Sequence, residues 1–151
     1  TADKSVDSLD SAFRRRFTFV EQKPNLELFN QELIAGVDLK SMLAKINQRI
    51  SILLDDNHLI GHSYFLQVKN IAELKSVFAN KIIPLLQEYF FEDYGKIGLI
   101  LGEDFLKEKK LASSDFASFE YEHMEELLNQ KIYQVRDMEE LDAISFIGIY
   151  K

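Results

Sequence analysis

From Asp38 onward, apolar side chains return every three or four residues: Leu39, Met42, Leu43, Ile46, Ile50 and Leu53 fall on one stripe, with Lys45, Gln48 and Arg49 on other faces. A stripe of that period is buried efficiently only by an amphipathic helix packed against other elements, so the chain is expected to be mainly α. The stripe breaks at Asp55-Asp56-Asn57, after which residues 58–68 read as loop and short strand.

The same reading places the remaining elements. Asp7 or Ser8 caps a short helix carrying Leu9, Ala12 and Phe13, followed by an alternating strand over Phe17-Thr18-Phe19-Val20 that Lys23-Pro24 stops. Asn25 caps a helix through Leu26, Phe29, Leu33 and Ile34, which Gly36 ends in the left-handed conformation. Asn70 with Glu73 forms a capping-box-like start for a helix through Leu74, Val77, Phe78 and Ile82. Pro84 either kinks that helix or opens a new one with Leu85, Leu86, Tyr89 and Phe90. Residues 107–115 read as a charged linker or exposed loop, Tyr121, Met124, Leu127, Leu128 and Ile132 share a helix face, and the apolar run 144–150 is expected to pack on the body or on a partner.

Composition removes several functions. No apolar run approaches the roughly 18–20 residues of a membrane helix, so no membrane association is expected. The absence of cysteine excludes disulfides and thiolate zinc sites and fits a reducing, cytoplasmic compartment. Net charge runs from +1 over residues 1–24 through −2 over 25–100 to −6 over 101–151. A field of that sign opposes a dedicated nucleic-acid surface, and Arg14-Arg15-Arg16 is the concentrated basic feature.

Self-sufficient catalysis finds no support. None of the six glycines sits in a phosphate-cradling loop followed by Lys and Ser or Thr. Ile50-Ser51-Ile52-Leu53-Leu54-Asp55-Asp56 imitates an apolar strand ending in magnesium-binding acids, but the helical period through it makes the two aspartates the end of a helix. His58 and His62 have zinc-pair spacing, yet Gly61 interrupts them and leucine replaces the glutamate of H-E-x-x-H, so no metal site is expected. His123 reads as a solvated helix residue, and Glu125-Glu126 and Glu139-Glu140 as solvated charge.

The three consecutive arginines sit at a helix-to-strand junction. Guanidinium groups match phosphate oxygens, and successive helical residues point about 100° apart, so at most two of the three can face one phosphate. The plain alternative is pairing with surface acids such as Asp7 and Asp10.

Four separated blocks carry a family resemblance: Thr1-Ala2-Asp3-Lys4-Ser5, Leu9-Asp10-Ser11-Ala12-Phe13-Arg14-Arg15-Arg16-Phe17, Gly61-His62-Ser63-Tyr64-Phe65, and Ile83-Pro84-Leu85-Leu86-Gln87-Glu88-Tyr89-Phe90-Phe91-Glu92-Asp93. In order and spacing they resemble the C-terminal part of the AAA+ NTPase subunit of McrBC-type, 5-methylcytosine-specific restriction systems, from Thr1 to about Gly102. The resemblance does not extend to residues 103–151. The resemblance implies an AAA+ helical lid with a short remnant of the α/β core and minor β structure. Its divisions are 1–23 as the last core helix and strand, 24–102 as the lid, and 103–151 as an extension.

It further implies that Thr1-Ala2-Asp3 ends an Asn-Thr-x-Asp motif, placing Asp3 near nucleotide. The P-loop, Walker B acids and sensor-1 asparagine would then lie upstream, and the chain would be an excised piece of a longer parent. Arg15 and Arg16, ahead of Arg14, take the role of arginine fingers acting on nucleotide held by a neighbouring protomer of a hexameric ring. His62, Ser63 and Tyr64 either contact base or phosphate, or are structural, with Tyr64 and Phe65 in the lid core. Arg49 lies on a helix outside the resembling blocks, so a sensor-2 arginine is not evident. The implied cofactor is GTP, or ATP, with Mg²⁺ in the parent, none held tightly by the isolated chain. The implied partners are neighbouring protomers, an McrC-type endonuclease, and DNA reached through the parent only. The alternative from another class is a noncatalytic helical interaction module whose acidic C-terminal segment docks a partner protein.

Overall fold

Asp38 begins the helix expected of it. Its carboxylate accepts hydrogen bonds from the Ser41 amide (3.2 Å) and the Ser41 hydroxyl (2.7 Å), capping α1, Leu39–Leu53. The computed structural model describes residues 33–91 and 93–151; the helix expected from Asp7, the strand over Phe17–Val20 and the start of the helix from Asn25 lie outside them. Leu39, Met42, Leu43, Ile46 and Ile50 are buried along α1.

Immediately before α1 the expectation of a helix reaching Ile34 fails. Ile34 and Val37 exchange backbone hydrogen bonds of 3.0 and 2.8 Å across Ala35 and Gly36, whose φ values are +49° and +84°. Gly36 is left-handed as expected, but two consecutive positive φ values make a mirror-image turn, through which no helix continues.

After α1, residues 58–68 contain no strand. Short 3₁₀ turns at Asp56–His58 and His62–Tyr64 take its place, because the local backbone is satisfied by caps and a buried side chain rather than by a sheet edge. Asn70 accepts from the Glu73 amide at 2.8 Å, while the Glu73 carboxylate accepts from the amide of Lys69, one residue before the cap. This opens α2, Ile71–Val77.

A π turn at Phe78–Ile82 joins α2 directly to α3, Ile83–Tyr89, and φ and ψ stay helical across both junctions. Pro84 stands in the first turn of α3, as the second alternative placed it, although the helical φ and ψ run on from the preceding turn. It has no amide to give, and its ring crowds the carbonyl four residues back; a widened turn takes up the conflict. Next comes α4, Tyr94–Leu101, an element the sequence reading left out.

The stretch 107–115, expected as a linker, contains a strand. β1, Leu106–Lys109, pairs antiparallel with β2, Ile132–Val135, in the register Leu106↔Val135 to Lys109↔Ile132. Arg136 extends the pairing: its amide donates to the Phe105 carbonyl (2.8 Å) and its side chain to the Asp104 and Leu106 carbonyls (3.0 and 3.3 Å). The ladder takes Ile132, so the expected helix through Tyr121 and Ile132 shrinks to α5, Met124–Asn129, which buries no residue. The C-terminal run forms α6, Ala143–Ile147.

One hydrophobic cluster joins the two halves of the described chain. Val37, Met42, Ile46, Leu74 and Leu86 share it with Phe105, Met138, Phe146 and Ile149. At its centre, Phe146 meets Phe78 edge-on at 4.9 Å and Phe105 at 5.4 Å, and Phe65 lies 6.1 Å from Phe78. Thus the apolar run 144–150 packs on the body, except Ile144, which is 73% exposed. The fold is mainly α with a two-stranded sheet, and no helix among the described residues is long and apolar enough to cross a membrane.

Candidate functional site

Asn47 occupies α1's buried stripe among Met42, Leu43, Ile46 and Ile50. Its side-chain amide donates to the Ile60 carbonyl at 2.9 Å, and its side-chain oxygen accepts from the Ile60 amide at 2.7 Å. One buried side chain thereby fixes both polar groups of a single loop residue. Ile60 is itself buried, and the next residue, Gly61, starts the turn that carries His62, Ser63 and Tyr64.

On that turn Ser63 is exposed, His62 is half-buried, Tyr64 is 40% exposed, and Phe65 is buried directly beneath, its amide donating to the His62 carbonyl at 3.0 Å. The turn is thus anchored on both sides, by Ile60 through Asn47 and by Phe65 through the aromatic core. It presents an imidazole, a hydroxyl and a phenol within three residues. No Lys or Arg lies between Gly61 and Phe65, and the three polar side chains offer hydrogen bonds to a polar ligand.

Three of the expected site residues are therefore brought together here: His62, Ser63 and Tyr64. The others, Asp3, Arg14, Arg15 and Arg16, lie outside the described residues.

The loop's first half is held by hydrogen bonds to Asp55. Asp55 accepts from the Asn57 amide at 2.8 Å and meets Nδ1 of His58 at 2.5 Å, while the His58 ring stands edge-on to Tyr89 at 4.9 Å. Burial works against the Asp55 charge, but the bonds from His58 and the Asn57 amide outweigh it and hold the carboxyl below its ordinary value. Asp56 is engaged by the Ser51 hydroxyl. Among the described residues no group of three or more His, Asp or Glu side chains is disposed to hold a metal ion.

Arg49 is committed elsewhere. Its Nη1 donates to the carbonyls of Ile100 (2.6 Å) and Ile149 (2.7 Å), bridging the end of α4 and the last turn of the chain. His123 stands before α5, largely exposed, 3.6 Å from Glu126. Asn47 was missed by the sequence reading, although an uncharged polar residue inside an apolar stripe is a legible signal of a specific hydrogen-bonding task.

Comparison with known proteins meets this geometry directly. Residues 38–98 match the family model "McrB, alpha-helical lid domain". The matched stretch begins at the Asp38 cap and ends within α4, so it contains α1, the anchored loop and the α2–α3 rod. A curated relative, the "Type IV methyl-directed restriction enzyme EcoKMcrB subunit" of Escherichia coli (strain K12), is 32% identical over 111 residues, covering 62% of this chain. The match covers 24% of the relative, so the chain spans about a quarter of that protein's length.

Proposed function

We propose, because residues 38–98 match the McrB alpha-helical lid domain, that the chain is the lid-bearing part of an AAA+ motor subunit in a modification-dependent DNA restriction system. The observation that carries the reading is the coincidence of the family match with the helical body that anchors the His62–Tyr64 turn. The parent subunit hydrolyses GTP, or ATP, with Mg²⁺, as a hexameric ring in the cytoplasm. It works with an McrC-type endonuclease on DNA containing modified cytosine, and touches that DNA through parts other than this one.

In this reading the lid closes over one edge of the nucleotide with His62, Ser63 and Tyr64 as rim contacts. Arg15 and Arg16, ahead of Arg14, reach nucleotide held by the neighbouring protomer. Bound nucleotide supplies the transferable phosphoryl group. The guanidinium groups meet charge that develops during transfer, a contribution of roughly 10³–10⁵ in rate. Because the arginines act in trans, hydrolysis depends on assembly. The chain by itself hydrolyses no nucleotide.

The experiment is GTP and ATP turnover by the full parent, titrating a P-loop-dead subunit into an Arg15→Ala, Arg16→Ala double mutant. Restored activity from two inactive proteins supports the trans assignment. A dead mixture of subunits that demonstrably co-assemble removes it. If the wild-type parent is inactive under assembling conditions, the noncatalytic interaction module replaces the motor. One feature favours that second reading, the wholly exposed acidic and aromatic stretch before α5.

A further inference from the structure

Between β1 and β2 the chain runs through residues 110–131 without contributing to the core: no residue from 107 to 132 belongs to the hydrophobic cluster or packs against it. Residues 112–123 are all exposed, and α5 buries nothing. Yet this connection carries Phe116, Phe119 and Tyr121, which are 39%, 76% and 48% exposed. Scattered apolar residues on a surface need no explanation, but three aromatics within six positions of a long connection form a patch. Long connections that build no core are commonly functional.

Charge gives the patch a sign. Asp115, Glu120, Glu122, Glu125 and Glu126 fall in the same stretch, with no Lys or Arg from 111 to 130. Among the described residues none of these acids is paired with a Lys or Arg; Asp115 accepts from the Ala112 amide and Glu126 faces His123. A cavity of about 240 Å³ opens between Tyr121, His123, Glu126, Leu127 and Gln130, beside the edge-on Tyr121–His123 ring pair at 5.7 Å.

We propose that this connection is a docking surface for a basic, arginine-containing segment of a partner protein, a role independent of the nucleotide reading. The carboxylates repel nucleic acid, so the exposed rings are not a base-stacking platform. They suit a cationic peptide: guanidinium groups pair with the carboxylates and lie over aromatic faces, and the segment's apolar side chains cover Phe116 and Phe119. The Tyr121–Gln130 cavity takes one such side chain.

The test uses the whole chain and a fluorescein-labelled dodecapeptide alternating Arg and Leu, with Arg/Ser and Glu/Leu counterparts. Fluorescence anisotropy should show saturable Arg/Leu binding, weakened at least about tenfold by Phe119→Ser with Tyr121→Ser, and likewise by Glu120→Lys with Glu122→Lys. Glu88→Lys with Glu139→Lys, which makes the same charge change at exposed positions elsewhere, should leave binding within about twofold. Melting temperatures should stay close to wild type throughout, because the substituted side chains lie outside the core. Absent binding, equal binding of Arg/Ser, or equal loss in the remote variant overturns the proposal. So does a concentration-dependent dimer abolished by the patch variants, which would make a second copy the occupant.

Discussion

Asn47 shows what a single buried amide does for the site. Its two hydrogen bonds to Ile60 satisfy a loop amide and carbonyl that are shut away from water. Asn47→Ala should cost about 2–4 kcal/mol, because each orphaned buried group carries roughly 1–3 kcal/mol of desolvation. Asn47→Leu, which keeps the branched shape, should cost nearly as much; urea unfolding of the two variants measures the difference, and a near-neutral Leu variant would show that packing outweighs the hydrogen bonds. Asp38 poses a titration question at the same scale. The Ser41 hydroxyl, with backbone amides behind it, holds its carboxyl below the ordinary value. A lowered folded value means the stabilisation is present above the unfolded carboxylate range, roughly pH 3.9, and is lost as pH falls through the folded value. Asp38→Ala should therefore cost about 1 kcal/mol near pH 7, and the gap from wild type should narrow in unfolding curves taken from about pH 5 down to pH 2.

At the scale of elements, Gly102 decides how α4 gives way to the sheet. Its φ of +100° and ψ of 166° lie in a region essentially confined to glycine, and a Cβ there would meet nothing within 4 Å. Gly102→Ala should thus cost about 1–3 kcal/mol from the backbone alone, read as a lowered urea midpoint with unchanged slope. A neutral result would mean that the α4-to-β1 turn is free to choose another path. The contrast between α1 and β1 explains which elements were legible. In α1, burial repeats with the helical period, so Leu39 through Ile50 announce both the element and its face. In β1, Leu106 is buried while Lys107, Glu108 and Lys109 are exposed, and the pairing that defines the strand comes from residues 132–135. A charged four-residue strand has no local signal, so Lys107–Lys109 looked like linker. The helix α4 was hidden by Gly95 and Gly98, which weaken helix propensity although Ile97, Ile100 and Leu101 are buried. The site was readable in the same uneven way. The Gly61–Phe65 block stood out by resemblance, whereas Asn47, which fixes its approach, acts through a tertiary contact to Ile60.

Over the whole molecule, the hairpin connection and the C-terminal segment have opposite relations to the core. The last nine residues close it: Phe146 and Ile149 are fully buried, the Tyr150 hydroxyl accepts from the Asp38 amide at 2.9 Å, and the Ile149 carbonyl accepts from Arg49. The start of α1 and the end of the chain are thereby tied together across the body. Removing residues 143–151 deletes a buried Phe and a buried Ile, each worth about 2–5 kcal/mol, against a total stability of about 5–15 kcal/mol. That truncation should abolish the cooperative thermal transition. Residues 110–131 bury no part of the cluster, and the register leaves Lys109 opposite Ile132, so a two-residue Asn-Gly turn can join the strands there. Replacing 110–131 by Asn-Gly removes more than twice as many residues as the truncation and should still leave a sharp transition within a few degrees of wild type, since a shorter loop costs less to close. Thermal melts followed by circular dichroism compare the two. If the shortened hairpin unfolds while the truncated chain survives, the core has been assigned to the wrong segments. If the shortened protein folds and no longer binds the Arg/Leu peptide, the connection is separable from the stability of the core, and its aromatics answer to a partner rather than to the fold.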